Sequence, residues 1–194
     1  MITPTPERVT PRPARKRETP SIETPRLSLT PLKSADLDAF TAVFADRNAA
    51  RMTHAVPHPL TREEAEKLLT RMMATVRTHW AIRLDDEQLI GVISLKKSAC
   101  GQPDGLHCFG PNLSLFIAPP FQGQGYGTEA IDALLRWCKK HRAHRIVHAA
   151  HFADNDASAR PLIAADFLYT GRRTMETSMA RDGEHQALHM IRIL

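Results

Sequence analysis

The residues of this sequence best suited to chemistry are glycines. Gln122-Gly123-Gln124-Gly125-Tyr126-Gly127-Thr128 sets three of them in alternation, between an apolar segment closed by Pro119-Pro120 and an amphipathic one. Glycine lets backbone approach a ligand unobstructed and permits positive φ. Where such a turn opens a helix, the unbonded N–H groups and the helix dipole together form a site for an anion. The chemistry implied is the binding of a phosphate-bearing ligand. A dinucleotide fingerprint needs Gly-x-Gly-x-x-Gly, but after Gly123 and Gly125 the third position holds Thr128. A P-loop needs Gly-Lys-Ser/Thr, and no lysine lies in the turn. The plain alternative is a glycine-rich helix start that binds nothing.

The elements around the turn must hold it in place. Asn112 to Ala118 reads as a strand stopped by the two prolines. The helix after the turn has Ile131, Leu134, Leu135 and Cys138 on its inner face, acids in its first turns and Lys139, Lys140 and Arg142 at its end, as the helix dipole favours. Upstream, Leu27 and Leu29 alternate with polar residues as a half-buried strand requires. Ser34 is placed to cap a helix carrying Leu37, Phe40, Val43 and Phe44. Thr61 and Glu64 form a capping box before a stripe of Ala65, Leu68, Leu69, Met72 and Val76. Trp80 to Leu84 and Gln88 to Leu95 read as a hairpin across an acidic turn. Ser98 to Gly110 is a connection. Arg145 to Phe152 follows as a strand and Ser158 to Ala165 as a short helix. Phe167 to Ala180 and His185 to Leu194 form a final hairpin closed by Asp182-Gly183. The pattern is mixed α/β on one sheet.

Set in this order of elements, the turn is similar to the coenzyme A loop of the GNAT N-acetyltransferase superfamily. Its motif Gln/Arg-x-x-Gly-x-Gly/Ala is met by Gln122, Gly125 and Gly127. The longer run to Ala130, the lead-in Glu23-Thr24-Pro25-Arg26-Leu27 and the segment Asn155-Asp156-Ala157-Ser158 resemble the branch of the ribosomal-protein N-terminal acetyltransferases. The resemblance spans residues 22 to 194. It implies a single α/β domain with a mixed, mainly antiparallel twisted sheet flanked by helices, and acyl-CoA bound at a splayed strand edge. Acetyl-CoA is then the acyl donor, with no metal. The acceptor is a primary amine, either a protein N-terminus or a small molecule. Gln122, Gly123, Gln124, Gly125, Tyr126, Gly127 and Thr128 form the loop, with the amides of Gln124 to Thr128 on the pyrophosphate. Leu115, Phe116 and Ile117 supply the strand edge, where an amide of Phe116 or Ile117 would polarise the thioester carbonyl. Tyr126 is read as backbone in the loop or as packing beneath it. Asn155 joins the binding set, and Ser158 is the candidate catalytic residue, as proton donor or as helix cap.

The sequence departs from that family at several positions. Leu162 stands where many relatives carry a proton-donating tyrosine, Asp166 where they have glycine before Phe167, and Asn112 where they often keep a glutamate. Proline is tolerated without a kink only in a helix's first turn, so Pro161 sets the helix start at Ser158. His107, His148 and His151 have a suitable pKa for a base, but no spacing brings them to an amine. His148 and His151 on one strand would face opposite sides, and His185 with His189 lacks further ligands at zinc spacing.

Composition bounds the rest. The 194 residues carry a formal charge of +5, and no apolar run approaches a membrane span. Cys100, Cys108 and Cys138 form no Cys-x-x-Cys pair, and with no signal sequence the expectation is a reduced, cytoplasmic protein. Residues 1–22, rich in Pro, Thr and Arg, are expected to be a disordered basic tail, with the acetyltransferase domain over 23–194. The tail has no interleaved aromatics, so nucleic acid is not the expected partner, and a polycationic acceptor would be disfavoured by the basic charge. No segment specifies an oligomeric state. The rival outside enzymes is a non-catalytic acyl-CoA sensor, suggested by Asn112, Leu162 and Asp166.

Overall fold

Short strands with alternating burial assemble first into one sheet. In the computed structural model, which describes residues 19–75, 79–97, 110–141 and 143–194, eight strands pair in the order β1-β2-β3-β4-β5-β6-β8-β7. They are β1 (Ile22–Glu23), β2 (Ser28–Thr30), β3 (His79–Arg83), β4 (Leu89–Lys97), β5 (Pro111–Ile117), β6 (Ile146–Phe152), β7 (Leu168–Thr177) and β8 (Glu184–Ile193). Every pairing is antiparallel except β5 with β6. A parallel neighbour needs a crossover, and α4 (Tyr126–Lys140) supplies it. The expected single α/β domain with a mixed, mainly antiparallel sheet is therefore what the chain forms.

Helices cover both faces. α4 and α5 (Asp156–Ala164) bury Ile131, Leu134, Cys138 and Leu162 against Leu29, Ile82, Ile93 and Val147 on one face. On the other, α1 (Leu37–Val43), the short α2 (Arg47–Ala50) and α3 (Arg62–Ala74) pack Phe40, Phe44, Leu68 and Leu69 onto Ala81 and Val92. The two-sided burial follows from strands such as His79–Arg83, buried at every position.

Most boundaries match the periodicity. The Thr61–Glu64 capping box forms in both directions and starts α3. Val76 lies outside the described residues. Ser34 is no cap. A 3-10 turn occupies Ser34–Asp36, and the Asp36 carboxylate accepts the Lys33 N–H at 2.8 Å. Asp36 also pairs with the buried Arg83 at 2.7 Å, a partner from β3 invisible in local sequence. At the N-terminal side, the Trp80 indole donates to the Pro20 carbonyl at 2.8 Å, so the chain engages the sheet just before β1.

Candidate active site

The site begins where the sheet comes apart. β5 and β6 pair only through Asn112 with His148 and Leu113 with Ala149. Beyond that point their C-terminal halves separate. On its other edge β5 is paired with β4 throughout, and the Ala118 N–H continues that ladder to Ile90 O at 2.9 Å. Backbone groups alternate in direction along an antiparallel strand. Phe116, in register with Val92, therefore spends its amide on β4, while Leu115 and Ile117 turn theirs toward the gap. This corrects the expectation for Phe116: only Leu115 and Ile117 offer an N–H there. The Ile117 carbonyl is already taken, by Gln122 Nε2 at 2.7 Å.

The glycine turn closes the gap at one end. Gly123 and Gly125 have φ of +75° and +83°, values that side chains rarely adopt. Gly125 is the N-cap of α4, with no side chain capping it. Among the described residues, the N–H groups of Gln124, Tyr126, Gly127 and Thr128 make no hydrogen bond within the chain. Gly127 is required for a different reason. A Cβ there would lie 3.1 Å from Leu115 Cδ2 and 3.6 Å from Pro161 Cβ. The loss of that one carbon lets α4 settle against both β5 and α5. A turn with four free amides at a positive helix pole fits a diphosphate.

Side chains brace this turn from outside it. Gln124 Nε2 donates to the Pro120 carbonyl at 3.0 Å. Arg26 donates to Gln124 O at 3.0 Å, pairs with Glu129 at 2.7 Å and lies over the Tyr126 ring, 4.7 Å from its centre. Thr24 Oγ1 donates to Glu129 Oε1 at 2.7 Å. Burial would push the Glu129 carboxyl up, but bonds from Thr24 and Arg26 and the Arg26 charge outweigh it and hold the pKa low. The Tyr126 ring is half-buried against the core. The lead-in Thr24-Pro25-Arg26-Leu27 is thus a clamp on α4, a role its sequence alone did not assign.

The second component lies on α5, and here the structure overturns an expectation. The helix starts at Asp156, not Ser158, and its cap is Asn155, whose Oδ1 accepts the Ser158 N–H at 3.1 Å. The same amide donates through Nδ2 to Ser158 Oγ at 2.9 Å. Pro161 consequently sits inside the helix, where it leaves the Ala157 carbonyl without its N–H. Ala157 is exposed, so water can satisfy that oxygen, and the proline ring fills the contact with Gly127. Ser158 lies one turn before Pro161 on the same face, half-buried, its oxygen fixed by Asn155 and its proton not committed to the backbone. Leu162, in the position of the absent tyrosine, is core.

Asp166 explains itself. It takes φ +57° just past α5, with its N–H on Ile163 O and the Phe167 N–H on Leu162 O, both at 3.0 Å. That is the left-handed helix stop usually built with glycine, which aspartate tolerates.

Of the three candidate histidines, the two among the described residues are buried. His148 and His151 are 1% and 6% exposed, on opposite faces of β6. His151 Nδ1 lies 2.8 Å from the Phe152 carbonyl, to which it donates, so Nε2 accepts from Tyr169 OH at 2.9 Å. His107, Cys100 and Cys108 lie outside the described residues, as does the connection of residues 98–109. Cys138 is buried in the core, and burial pushes its thiol up to about 12. Among the described residues no group of three or more His, Cys, Asp or Glu gathers at metal-binding distance, and no helix is long and apolar enough to cross a membrane.

Sequence reasoning missed the opposite face of the gap. Arg181, its side chain 2% exposed, forks onto Asp154 at 3.0 Å and donates through Nε to Arg51 O at 2.6 Å. Its guanidinium stacks 4.5 Å over Phe152, the last residue of β6. Desolvation works against the charged Asp154 carboxylate, but the Arg181 bonds and charge prevail and lower its pKa. One arginine thereby ties the β7–β8 connection and α2 to the end of β6. No local pattern announces contacts this distant in sequence.

Residues 26–167 match the acetyltransferase (GNAT) domain family. No curated protein matches the chain significantly by sequence. The fold is that of several solved structures. One is an acetyltransferase (GNAT family) from Bacillus anthracis, at TM-score 0.73 and 17% identity, covering 89% of this chain and 98% of that one. A ribosomal-protein-S5-alanine acetyltransferase from Vibrio fischeri aligns at TM-score 0.70 and 17% identity, over 89% and 96% of the two chains. A ribosomal L7/L12 alpha-N-protein acetyltransferase in complex with coenzyme A aligns at TM-score 0.71 and 16% identity, over 90% and 98%.

Proposed function

Because the chain belongs to the acetyltransferase (GNAT) domain family, we propose that it moves an acetyl group from acetyl-CoA to a primary amine in one ternary complex. The observation that carries this reading is the conjunction of the β5–β6 splay with a glycine-capped helix whose first amides are unbonded. Acetyl-CoA brings the activated thioester; the chain holds and orients it. The amides of Gln124 to Thr128 take the pyrophosphate, and the Gln122 and Gly123 backbone completes the turn. Leu115 and Ile117 present N–H groups to the pantetheine arm and the thioester oxygen, where a fixed donor stabilises developing negative charge.

Ser158 is the candidate proton donor to the leaving sulfur. Asn155 acts through it as a positioning residue, since its amide fixes Ser158 Oγ. Two of the similar structures are a ribosomal-protein-S5-alanine acetyltransferase and a ribosomal L7/L12 alpha-N-protein acetyltransferase, which supports a peptide amine as acceptor and membership of that branch. The tail expected over 1–22 is shorter than that, because Pro20 and Ile22 already engage the sheet; we read what precedes them as accessory to the domain and the protein as cytoplasmic. The reading is tested by acetyl-CoA calorimetry together with thiol release and acceptor mass spectrometry across peptide and small amines. Micromolar binding with transfer to at least one amine is expected. Tight binding with no transfer to any acceptor would replace the enzyme by the acyl-CoA sensor, for which Asn112 and Leu162 already speak. No binding would end both.

A further inference from the structure

An open pocket of about 560 Å³ lies on the α2 side of the sheet, between α2 and the β7–β8 connection. Its lining includes Arg47, Arg51, His58, Arg181 and His185, against a single carboxylate, Asp182. The Arg181 charge is answered by Asp154. Arg47 and Arg51 differ. They stand one turn apart, the Arg51 N–H donating to Arg47 O at 3.0 Å, and neither guanidinium has an ion-pair partner among the described residues. Arginines with no internal partner, gathered round a concavity, favour an anionic occupant.

The pocket adjoins the reaction gap. Its buried post, Arg181, stacks on Phe152 at the end of β6 and grips Asp154, the residue before Asn155. β6 is one wall of the gap, and Asn155 holds Ser158. An acceptor amine in the gap would leave the rest of its molecule in the arginine pocket.

We propose that the acceptor is a peptide N-terminus with acidic residues just behind its amine, their carboxylates taken by Arg47 and Arg51. The inference rests on the acetyltransferase reading for its geometry. A peptide fits better than a compact phosphate because Arg47 and Arg51 line an open groove rather than a closed cup. Arg47 and Arg51, without an ion pair among the described residues, outnumber the single carboxylate of the lining, Asp182.

The test measures binding apart from turnover. C-terminally labelled peptides Ala-Asp-Glu-Ala-Gly, Ala-Asn-Gln-Ala-Gly and Ala-Lys-Arg-Ala-Gly are titrated by fluorescence anisotropy against the full chain with coenzyme A present. The acidic peptide should bind at least about tenfold tighter than the neutral one, and the advantage should shrink between low and high salt. Arg47→Gln with Arg51→Gln should abolish the preference and leave acetyl-CoA affinity unchanged. Because the salt response is read on the unmodified chain, a misfolded variant does not spare the proposal. Equal binding of all three peptides, or preference for the basic one, overturns it. O-Phosphoethanolamine displacing the acidic peptide at far lower concentration than unlabelled peptide also overturns it, in favour of a small phosphorylated amine. Acidic peptide bound tightly but never acetylated from acetyl-CoA would leave the anion pocket standing and sink the transferase reading alone.

Discussion

The two sides of the β5–β6 gap are built from different materials. On the α4 side the groups proposed to face the ligand are backbone amides, arranged by glycines close together in sequence. On the α2 side they are side chains, held by Arg181 through partners as remote as Arg51 and Asp154. A backbone site tolerates change in most of its side chains but almost none in its glycines. A side-chain site reverses that sensitivity. It follows that the first should define the common donor and the second the individual acceptor.

The largest expected effect comes from breaking the backbone side. Gly125→Val forces a branched side chain into φ +83°, with a Cβ 3.3 Å from Arg26 Nη2. Hydrogen bonds to charged groups contribute about 1.5–3 kcal/mol each, so one or two lost amides weaken acetyl-CoA by about a hundredfold. Calorimetry on a variant with native circular dichroism checks this. Unchanged affinity would mean that the turn is not the phosphate site.

The matching break on the α2 side is Arg181→Met. Removing one member of a buried pair costs roughly 3–5 kcal/mol, but Asp154 is 56% exposed, which lowers the expectation to about 2 kcal/mol. Urea unfolding should register that loss while acetyl-CoA affinity stays within about twofold, a modest change. A large drop in acetyl-CoA affinity would show that the two sides are not separate.

Ser158 and Asn155 sit between the sides and sharpen the comparison. With Asn155 as the cap, Asn155→Ala should cost about 1 kcal/mol and Ser158→Ala less than about 0.5 kcal/mol. As proton donor, Ser158→Ala should still lower kcat by about a hundredfold with little change in acetyl-CoA affinity. Paired melts and single-turnover kinetics decide it. A melt that falls with Ser158→Ala and a kcat that does not would return the hydroxyl to a structural role.

The smallest effect is a pH dependence. The Glu129 carboxyl titrates below its ordinary range when folded. Its clamp with Thr24 and Arg26 therefore stabilises the fold above the unfolded pKa and is lost as pH falls through the lower, folded one. Glu129→Gln should melt earlier than the native chain near neutrality, with the gap closing below about pH 4, the ordinary glutamate range. A gap constant from pH 3 to 7 would remove the clamp as an electrostatic device.

What the sequence determined by itself was whatever depends on neighbours along the chain. The alternation at Leu27 and Leu29, the Thr61–Glu64 box, the inner stripe of α4 and the glycines of the turn are local patterns, and each sits where its periodicity or φ requirement puts it. Tertiary structure decided the rest. It picked Asn155 over Ser158 as cap, which leaves Pro161 inside α5 and against Gly127, a neighbour from α4 that the local sequence does not contain. It chose Leu115 and Ile117 over Phe116, because the direction of an amide depends on which strand β5 pairs with. It also drew Arg26 to Glu129, Arg83 to Asp36 and Arg181 to Asp154, charged pairs whose partners lie 103, 47 and 27 residues apart. Propensity and periodicity act over a few residues, whereas the long reach of an arginine finds its carboxylate only after the sheet has brought the two together.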